Sequence, residues 1–509
     1  MSAPIPEPYT LEHLLEIIHT RYPAGTDTSM VELAYEFARD AHGDQYRISG
    51  EPYIVHPTAA AIKLATMNVE IPVIVAALLH DVPEDTERTF EDIRREFGDD
   101  VAEMVAGVTK LGKVQYRGLD RYTENLRKMF YAMASDVRTI FIKFADRLHN
   151  MLTLDAIPEP KRRRIAKEVL EIYAPIANRL GMGEFKGQFE DLAFRYVYPE
   201  EYQRVKRLRE QNLKMREKNL EKTIKRISQD LAAESITPIE IHGRVKRLYS
   251  LYQKLARYDN DVTRIYDLVA IRVILPKVAD CYAALGIIHR NWKPLKGRIK
   301  DYIAQPKPNG YQSLHSTIFG EGGYIMELQI RTLEMHESAE YGIPAHWRYK
   351  DDNLQEKKNM RWLKELVRVQ EDLKDKEEFF EHLEEVKLDA FSDRIFVFTP
   401  KGDVINLSKG ATPVDFAYAI HTEIGNKCVA SWVNDKIVNL DTELKSGDIC
   451  DIVIDKNRKG PNPDWLLFVK SRHARDKIKD ATRHTMRGWF MGRRDVHSRR
   501  KRVRENRTP

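Results

Sequence analysis

His56, the adjacent pair His80 and Asp81, and Asp146 make a dispersed set of two imidazoles and two carboxylates, with Glu84 and Asp85 just beyond the pair. Imidazole nitrogen mixed with hard carboxylate oxygen suits a divalent ion of the manganese, iron or zinc type, and the spare carboxylates can act on a water bound to it. The set therefore points to metal-assisted hydrolysis. The competing reading is that His80 and Asp81 merely end the apolar run Ile71 to Leu79 and that His56 is a surface or capping histidine. Spacing favours the site: if Phe141 to Leu154 is helical, Asp146 and Asn150 share a face one turn apart, with His149 near it. Pro83 restricts Val82 and fits poorly inside a helix, so the helix through His80 should end around Asp81 and leave Glu84 and Asp85 on a turn at its mouth.

A second constellation lies farther along. In Tyr324 to Arg331 the period of two puts Met326, Leu328 and Ile330 on one face of a strand and Glu327, Gln329 and Arg331 on the other. Asp267 supplies another carboxylate from IYDLVAIRVI, and two carboxylates on neighbouring strands suit a magnesium-nucleotide complex. Arg244, Lys246, Lys254, Arg272, Arg298, Lys300 and Lys307 offer cations for a polyphosphate, whose transfer depends mainly on positioning and charge neutralisation. Tyr311 follows a Pro- and Gly-bearing loop and could stack on a base. Taken singly, each of these residues also fits an ordinary sheet edge, a core tyrosine or a solvated cation.

The elements that must hold these groups divide 509 residues into several domains. Residues 1–200 read as helical, from apolar spacings such as Val31, Ala34, Tyr35 and Ala38. Residues 201–240 read as an amphipathic helical connector with apolar positions from Val205 to Leu231. Residues 241–350 alternate strand-like and helical segments, a mixed α/β domain. A charged helical linker is expected over 351–389, a small α+β module over 390–456, and a basic helical or disordered tail over 457–509. From Lys456 to Pro509 there are 18 Lys or Arg against 5 Asp or Glu, so the tail exceeds the whole chain's net charge of +6 and the remainder is acidic. Such a tail is either a solvated end or an RNA-phosphate contact. Three cysteines without metal-type spacing suit a reducing, cytoplasmic setting, and neither a signal segment nor a membrane span is expected.

HDVPEDT (80–86), GVTKL (107–111), FADRLHNM (144–151), GRVKRLYSLYQK (243–254), YDLVAIRV (266–273), GRIKDYIAQPKPNGYQSLHST (297–317) and MELQIRT (326–332) resemble, in order, the long RelA/SpoT homologues of the stringent response, which make and destroy ppGpp and pppGpp. The resemblance extends to about residue 480. It implies an all-α HD hydrolase domain, a mixed α/β, nucleotidyltransferase-like synthetase domain, and, from RIFVFTPKGDVINL to GDICDIVI, an α+β TGS domain of β-grasp type.

By motif, the resemblance implies that His56, His80, Asp81 and Asp146 bind manganese, that Glu84 and Asp85 activate water and assist the leaving pyrophosphate, and that Arg47, Ser49, Asn150 and Thr153 line the guanosine nucleotide. Asp267 and Glu327 would hold magnesium with ATP, Glu327 serving as base toward the 3′-hydroxyl of GDP or GTP. Arg244 and Arg272 match residues around adenine, Tyr311 the residue stacked on guanine, and Lys246, Lys254, Lys307 and His315 phosphate-side positions, with Gln329 in the same nucleotide site. Arg298-Ile299-Lys300-Asp301 matches the Arg-x-Lys-Asp element that family members with both activities carry where synthesis-only members are more acidic, so the resemblance implies a bifunctional chain. His421 matches a histidine that meets uncharged tRNA on the ribosome, although a cap at the end of its short helix is an equally open role. Pro83 replaces an aliphatic residue, Leu152 replaces an arginine, and the family's further helical, zinc-finger-like and ACT domains do not follow. The rivals to a bifunctional enzyme are a synthetase with a degenerate, regulatory hydrolase domain and a non-catalytic ribosome- or tRNA-binding regulator.

Overall fold

The computed structural model describes residues 9–112, 129, 132, 135–307, 309–342, 394–445 and 447–482. The chain forms two compact units, Met1–Asp375 and Lys376–Pro509. The expected charged linker at 351–389 and the tail beyond 482 lie outside the described residues.

The first unit begins all-α, as the apolar spacing indicated. Helix Ile71–Leu79 opens with a proline in its first turn and buries every residue from Val73 to Leu79, so it runs through the core rather than over it. Helix Val55–Ala65 buries Ala59, Ala60, Ala61 and Ala65, small residues that let Arg138–Leu152 pack closely against it. Behind them Phe144, Tyr173, Phe185 and Phe189 form an aromatic cluster. His56, His80 and Asp146 thus sit on three helices that meet in one core.

Helix Pro199–Ala233 runs 35 residues. The expected connector is a structural wall: Val205 packs with Phe194, Leu251 and Leu255, while Ile227 and Leu231 join the core beneath the adjoining sheet. That sheet has strands β1 (Glu240–Val245), β2 (Val269–Leu275), β3 (Lys300–Asp301), β4 (Leu314–Phe319) and β5 (Ile325–Thr332) in the order β1-β2-β5-β4-β3. Only β2 and β5 run parallel. Register aligns Ile271 with Leu328 and Val273 with Ile330, and these residues pack on Cys281, Ala284 and Ile288 of helix Val278–Asn291. The alternate positions Ala270, Arg272 and Ile274 align with Glu327, Gln329 and Arg331, which gives the sheet a second, largely polar face.

The second unit contains a hairpin, β6 (Arg394–Phe398) and β7 (Val404–Ser408), and a sheet of β8 (Cys428–Val433), β9 (Lys436–Val438) and β10 (Cys450–Ile454). Helix Pro413–Ile420 starts in a capping box made by Thr412 and Asp415. The buried Asp415 also accepts backbone hydrogen bonds from Lys470 and Ser471, and Trp465, Val469, Ala474 and Ile478 enter the module's core. Folding of this α+β module therefore recruits residues past 456. No described helix is long and apolar enough to cross a membrane.

Ile330 is fully buried at the centre of the sheet's apolar face. Ile330→Ala should destabilise the first unit by about 3 kcal/mol, measured as a lowered denaturation midpoint, without altering the polar face directly.

Candidate active sites

The helical site follows from where its helices end. His80 caps Ile71–Leu79, and Pro83 lies in the first turn of the one-turn helix Val82–Asp85, where its missing N–H would have had no partner. The proline is thus compatible with the turn that carries Glu84 and Asp85, and both acids are exposed.

His56 Nε2 lies 3.4 Å from Asp81 Oδ2 and 3.3 Å from Asp146 Oδ1. The His80 Nδ1 to Ala77 carbonyl hydrogen bond of 2.8 Å fixes the ring so that Nε2 faces the cluster. That Nε2 is buried and, although 3.2 Å from Asp81 Oδ1, makes no hydrogen bond of acceptable geometry. Donor atoms of His56, His80 and Asp146 all lie within 4.8 Å of one another. An unsatisfied imidazole nitrogen aimed at carboxylates fits a divalent cation.

Charge balance around Asp146 needs more than the predicted residues. Burial raises its pKa, but Lys143 Nζ at 2.8 Å and the His56 contact outweigh this and hold the group well below the ordinary carboxylate range. Asn150 donates to Asp146 and accepts from Arg47 Nη2 at 2.6 Å. His149 Nδ1 stands 2.9 Å from His56 Nδ1, and burial, with help from His56 and Arg47, pushes its pKa down to about 3. A neutral His149 can accept from the Nδ1–H of His56 and orient it. Tyr53 donates to Asp85 Oδ2 at 2.5 Å and lies 3.1 Å from Asp81 Oδ2. His42 stacks on Tyr53, and Gln45, bonded to His42, donates to the Asp85 carbonyl. Thr153 caps the helix through its His149 contact, Ser49 lies in the exposed loop beside Arg47, and Leu152 is half exposed.

Lys143, Tyr53 and His149 went unassigned in the sequence. Lys143 and Asp146 are one helical turn apart, a signal that was present, whereas Tyr53 reaches Asp85 only through the fold.

The second site occupies the polar face of the sheet. Arg244, Lys246, Arg247, Ser250, Asp267, Glu327 and Gln329 line an open pocket. Asp267 Oδ2 accepts from Lys246 at 2.6 Å and from Lys254, whereas its buried Oδ1 has no hydrogen-bond partner. Burial raises the Asp267 pKa, but the two lysines prevail and lower it. His315 Nδ1 is 2.6 Å from Glu327 Oε1, and its Nε2 is 2.8 Å from the Tyr311 hydroxyl. Burial lowers the His315 pKa against the pull of Glu327; the neutral ring donates to Glu327 and accepts from Tyr311. Lys307 Nζ stands 4.7 Å from both the Tyr302 and Tyr311 ring centres.

Arg272 lies outside the pocket lining, buried and 3.0 Å from Glu340. Asp301, in the Arg-x-Lys-Asp element, accepts from the Ile303 and Ala304 amides, so its carboxylate shapes a turn. In the second unit, His421 Nδ1 accepts from the Glu423 amide and caps helix Thr422–Lys427.

These features place a histidine-aspartate cluster suited to a divalent cation among the helices and a carboxylate-lysine pocket on the polar face of a mixed sheet. Family models match accordingly: an HD domain over residues 34–183, the region found in RelA/SpoT proteins over 243–354, and a TGS domain over 395–454. The bifunctional (p)ppGpp synthase/hydrolase SpoT of Escherichia coli (strain K12) is 43% identical over 484 residues, covering 94% of this chain and 68% of that protein. The chain belongs to the RelA/SpoT family. Guanosine-3′,5′-bis(diphosphate) 3′-pyrophosphohydrolase of Aquifex aeolicus is 46% identical, with 92% of this chain and 66% of the relative covered. GTP pyrophosphokinase of Myxococcus xanthus is also 46% identical, with 90% and 61% covered. The chain thus spans roughly six-tenths of the length of these last two relatives. Among solved structures, small alarmone synthetase 1 of Bacillus subtilis bound to pppGpp is similar at 26% identity and a TM-score of 0.24, covering 32% of this chain and 96% of that one.

Lys143→Met leaves Asp146 buried without its ammonium partner. The metal-free variant should lose about 3 kcal/mol, and added Mn²⁺ should raise its thermal midpoint more than it raises that of the parent. Tyr53→Phe should retain the Mn²⁺-induced thermal shift while slowing the chemistry of this site about tenfold, read as kcat in a hydrolysis assay.

Proposed function

We propose that this chain is a bifunctional alarmone enzyme. It transfers pyrophosphate from ATP to the 3′-hydroxyl of GDP or GTP, and it hydrolyses (p)ppGpp to GDP or GTP and pyrophosphate. The observation that carries the reading is the presence of two separate sites, each with a buried, unsatisfied ligand atom beside ionised carboxylates: His80 Nε2 in one and Asp267 Oδ1 in the other. The similarity to the E. coli bifunctional (p)ppGpp synthase/hydrolase supports the same pairing.

For hydrolysis, His56, His80, Asp81 and Asp146 would hold manganese. A divalent ion there supplies Lewis acidity and a water of lowered pKa. Glu84 and Asp85, on the exposed turn, take the proton of the attacking water and return one to the leaving group, with Tyr53 and Gln45 holding Asp85 in place. Arg47, Ser49, Asn150 and Thr153 border the nucleotide. The regular turn at Pro83 favours an active hydrolase over a purely regulatory one.

For synthesis, Asp267 and Glu327 would hold magnesium with ATP. Lys246 and Lys254, both bonded to Asp267, turn to the phosphates and free that carboxylate. Glu327 accepts the proton of the attacking 3′-hydroxyl, with His315 and Tyr311 positioned behind it. Tyr311 stacks on guanine and Lys307 meets phosphate. Arg244 and Arg272 flank adenine. The TGS module, through the outward side of His421, contacts uncharged tRNA on the ribosome, and the basic tail adds phosphate contacts.

A paired assay tests the reading. Asp81→Ala should abolish Mn²⁺-dependent pyrophosphate release from ppGpp and retain synthesis, whereas Glu327→Gln should lower synthesis by at least about a thousandfold and retain hydrolysis. A parent chain that releases no pyrophosphate from ppGpp would instead identify the helical domain as regulatory.

A further inference from the structure

Helix Leu333–Tyr341 closes one end of the polar sheet face and also meets the helical domain. Arg272 on β2 and Arg331 on β5 are buried on that face, with side-chain exposures of 6% and 1%. Their countercharge comes from this helix. Glu340 Oε1 is 3.0 Å from Arg272 Nη1 and 3.0 Å from Arg331 Nη2, while His336 Nδ1 lies 2.7 Å from the latter. Arg272 Nε and Nη2 and Arg331 Nε have no hydrogen-bond partner, so the position of Arg272 depends heavily on one carboxylate oxygen. Burial, reinforced by Arg331, lowers the Arg272 pKa to about 10, and both arginines hold Glu340 at about 2 against the effect of its own burial.

The same helix end is fixed from the other side. A Cβ at Gly183 would lie 2.4 Å from the Ala339 carbonyl oxygen, and one at Gly342 would lie 2.3 Å from the Leu180 carbonyl oxygen. Gly342 and Gly181 have φ of +72° and +75°, which favours glycine on backbone grounds as well. Asn309 Nδ2 donates to the Asn178 carbonyl at 3.2 Å. The last turn of the helix is thus clamped between the helical domain and the arginine pair.

We propose that Glu340 is a positioning residue for ATP, orienting Arg272, and that the glycine joint between residues 181–183 and 339–342 sets where Glu340 stands. The inference rests on the assignment of Arg272 to ATP made above. A displacement of the joint by a fraction of an ångström lengthens one of the two 3.0 Å contacts and leaves an arginine short of its countercharge. Packing in the hydrolase half thereby tunes ATP binding in the synthetase half, through a helix that reaches both.

The test uses the full chain, with ATP and GDP varied separately and ppGpp hydrolysis measured in parallel. Glu340→Gln should raise KM for ATP about tenfold, as expected for loss of a charge-assisted hydrogen bond. KM for GDP and the hydrolysis rate should stay within about twofold of the parent. Gly183→Ala, remote from both nucleotides, should also raise KM for ATP selectively, and the double variant should be no worse than Glu340→Gln alone. An unchanged KM for ATP in Glu340→Gln, or an equal loss in all three quantities, overturns the proposal. Should Glu340→Gln fail to fold, Gly183→Ala decides: a selective rise supports the joint, and no change overturns it. Arg272→Ala separates the premises. No effect on KM for ATP removes the assignment of Arg272, whereas a rise there without one in Glu340→Gln removes only the inference.

Discussion

An ionised carboxylate taken out of water costs several kcal/mol unless cations or hydrogen-bond donors replace the lost solvent. Both sites of this chain are built around that requirement. Asp146 is offset by Lys143, His56 and Asn150, and Asp267 by Lys246 and Lys254. Each arrangement keeps the acid charged and yet leaves a ligand atom unused nearby, His80 Nε2 or Asp267 Oδ1. Groups that stabilise the ligand-free protein are also the groups that nucleotide or metal must rearrange, so folding and binding compete for the same lysines.

The backbone beneath these charges is conventional in its physics. Three packed helices deliver His56, His80 and Asp146, and small alanines on Val55–Ala65 allow them to approach. The sheet separates an apolar face, buried by Val278–Asn291 and Pro199–Ala233, from a polar face that is free to carry chemistry. Because Pro199–Ala233 contributes to cores on both sides of its length, the synthetase domain is anchored to the helical one rather than hung from a tether. Glu340 and the glycine joint add a second connection, through the helix that follows β5.

Much of this is legible in the sequence. The HD ligands, the strand period in MELQIR and the carboxylate at Asp267 announced two chemistries, and the apolar run Ile71 to Leu79 marked its helix. Other elements gave weaker signals. Basic residues around Trp465 and Val469 hid a continuation of the third module's core, which depends on Asp415 accepting from Lys470 and Ser471. Arg272 stands in the sequence as one of several cations and, by resemblance, beside adenine; that it is buried against Glu340, 68 positions away, shows only in the folded sheet.

The sequence by itself determined the residue types, the local periods and the order of motifs, and hence the fold classes, the two candidate chemistries and the family. These follow from local properties: spacing along a helix, alternation along a strand, and the ligand preference of each side chain. Tertiary structure alone decided that Tyr53 holds Asp85, that His149 meets His56, and that Glu340 is shared between two buried arginines. Those relations depend on distances of about 3 Å between residues far apart in the chain, and only packing can set them.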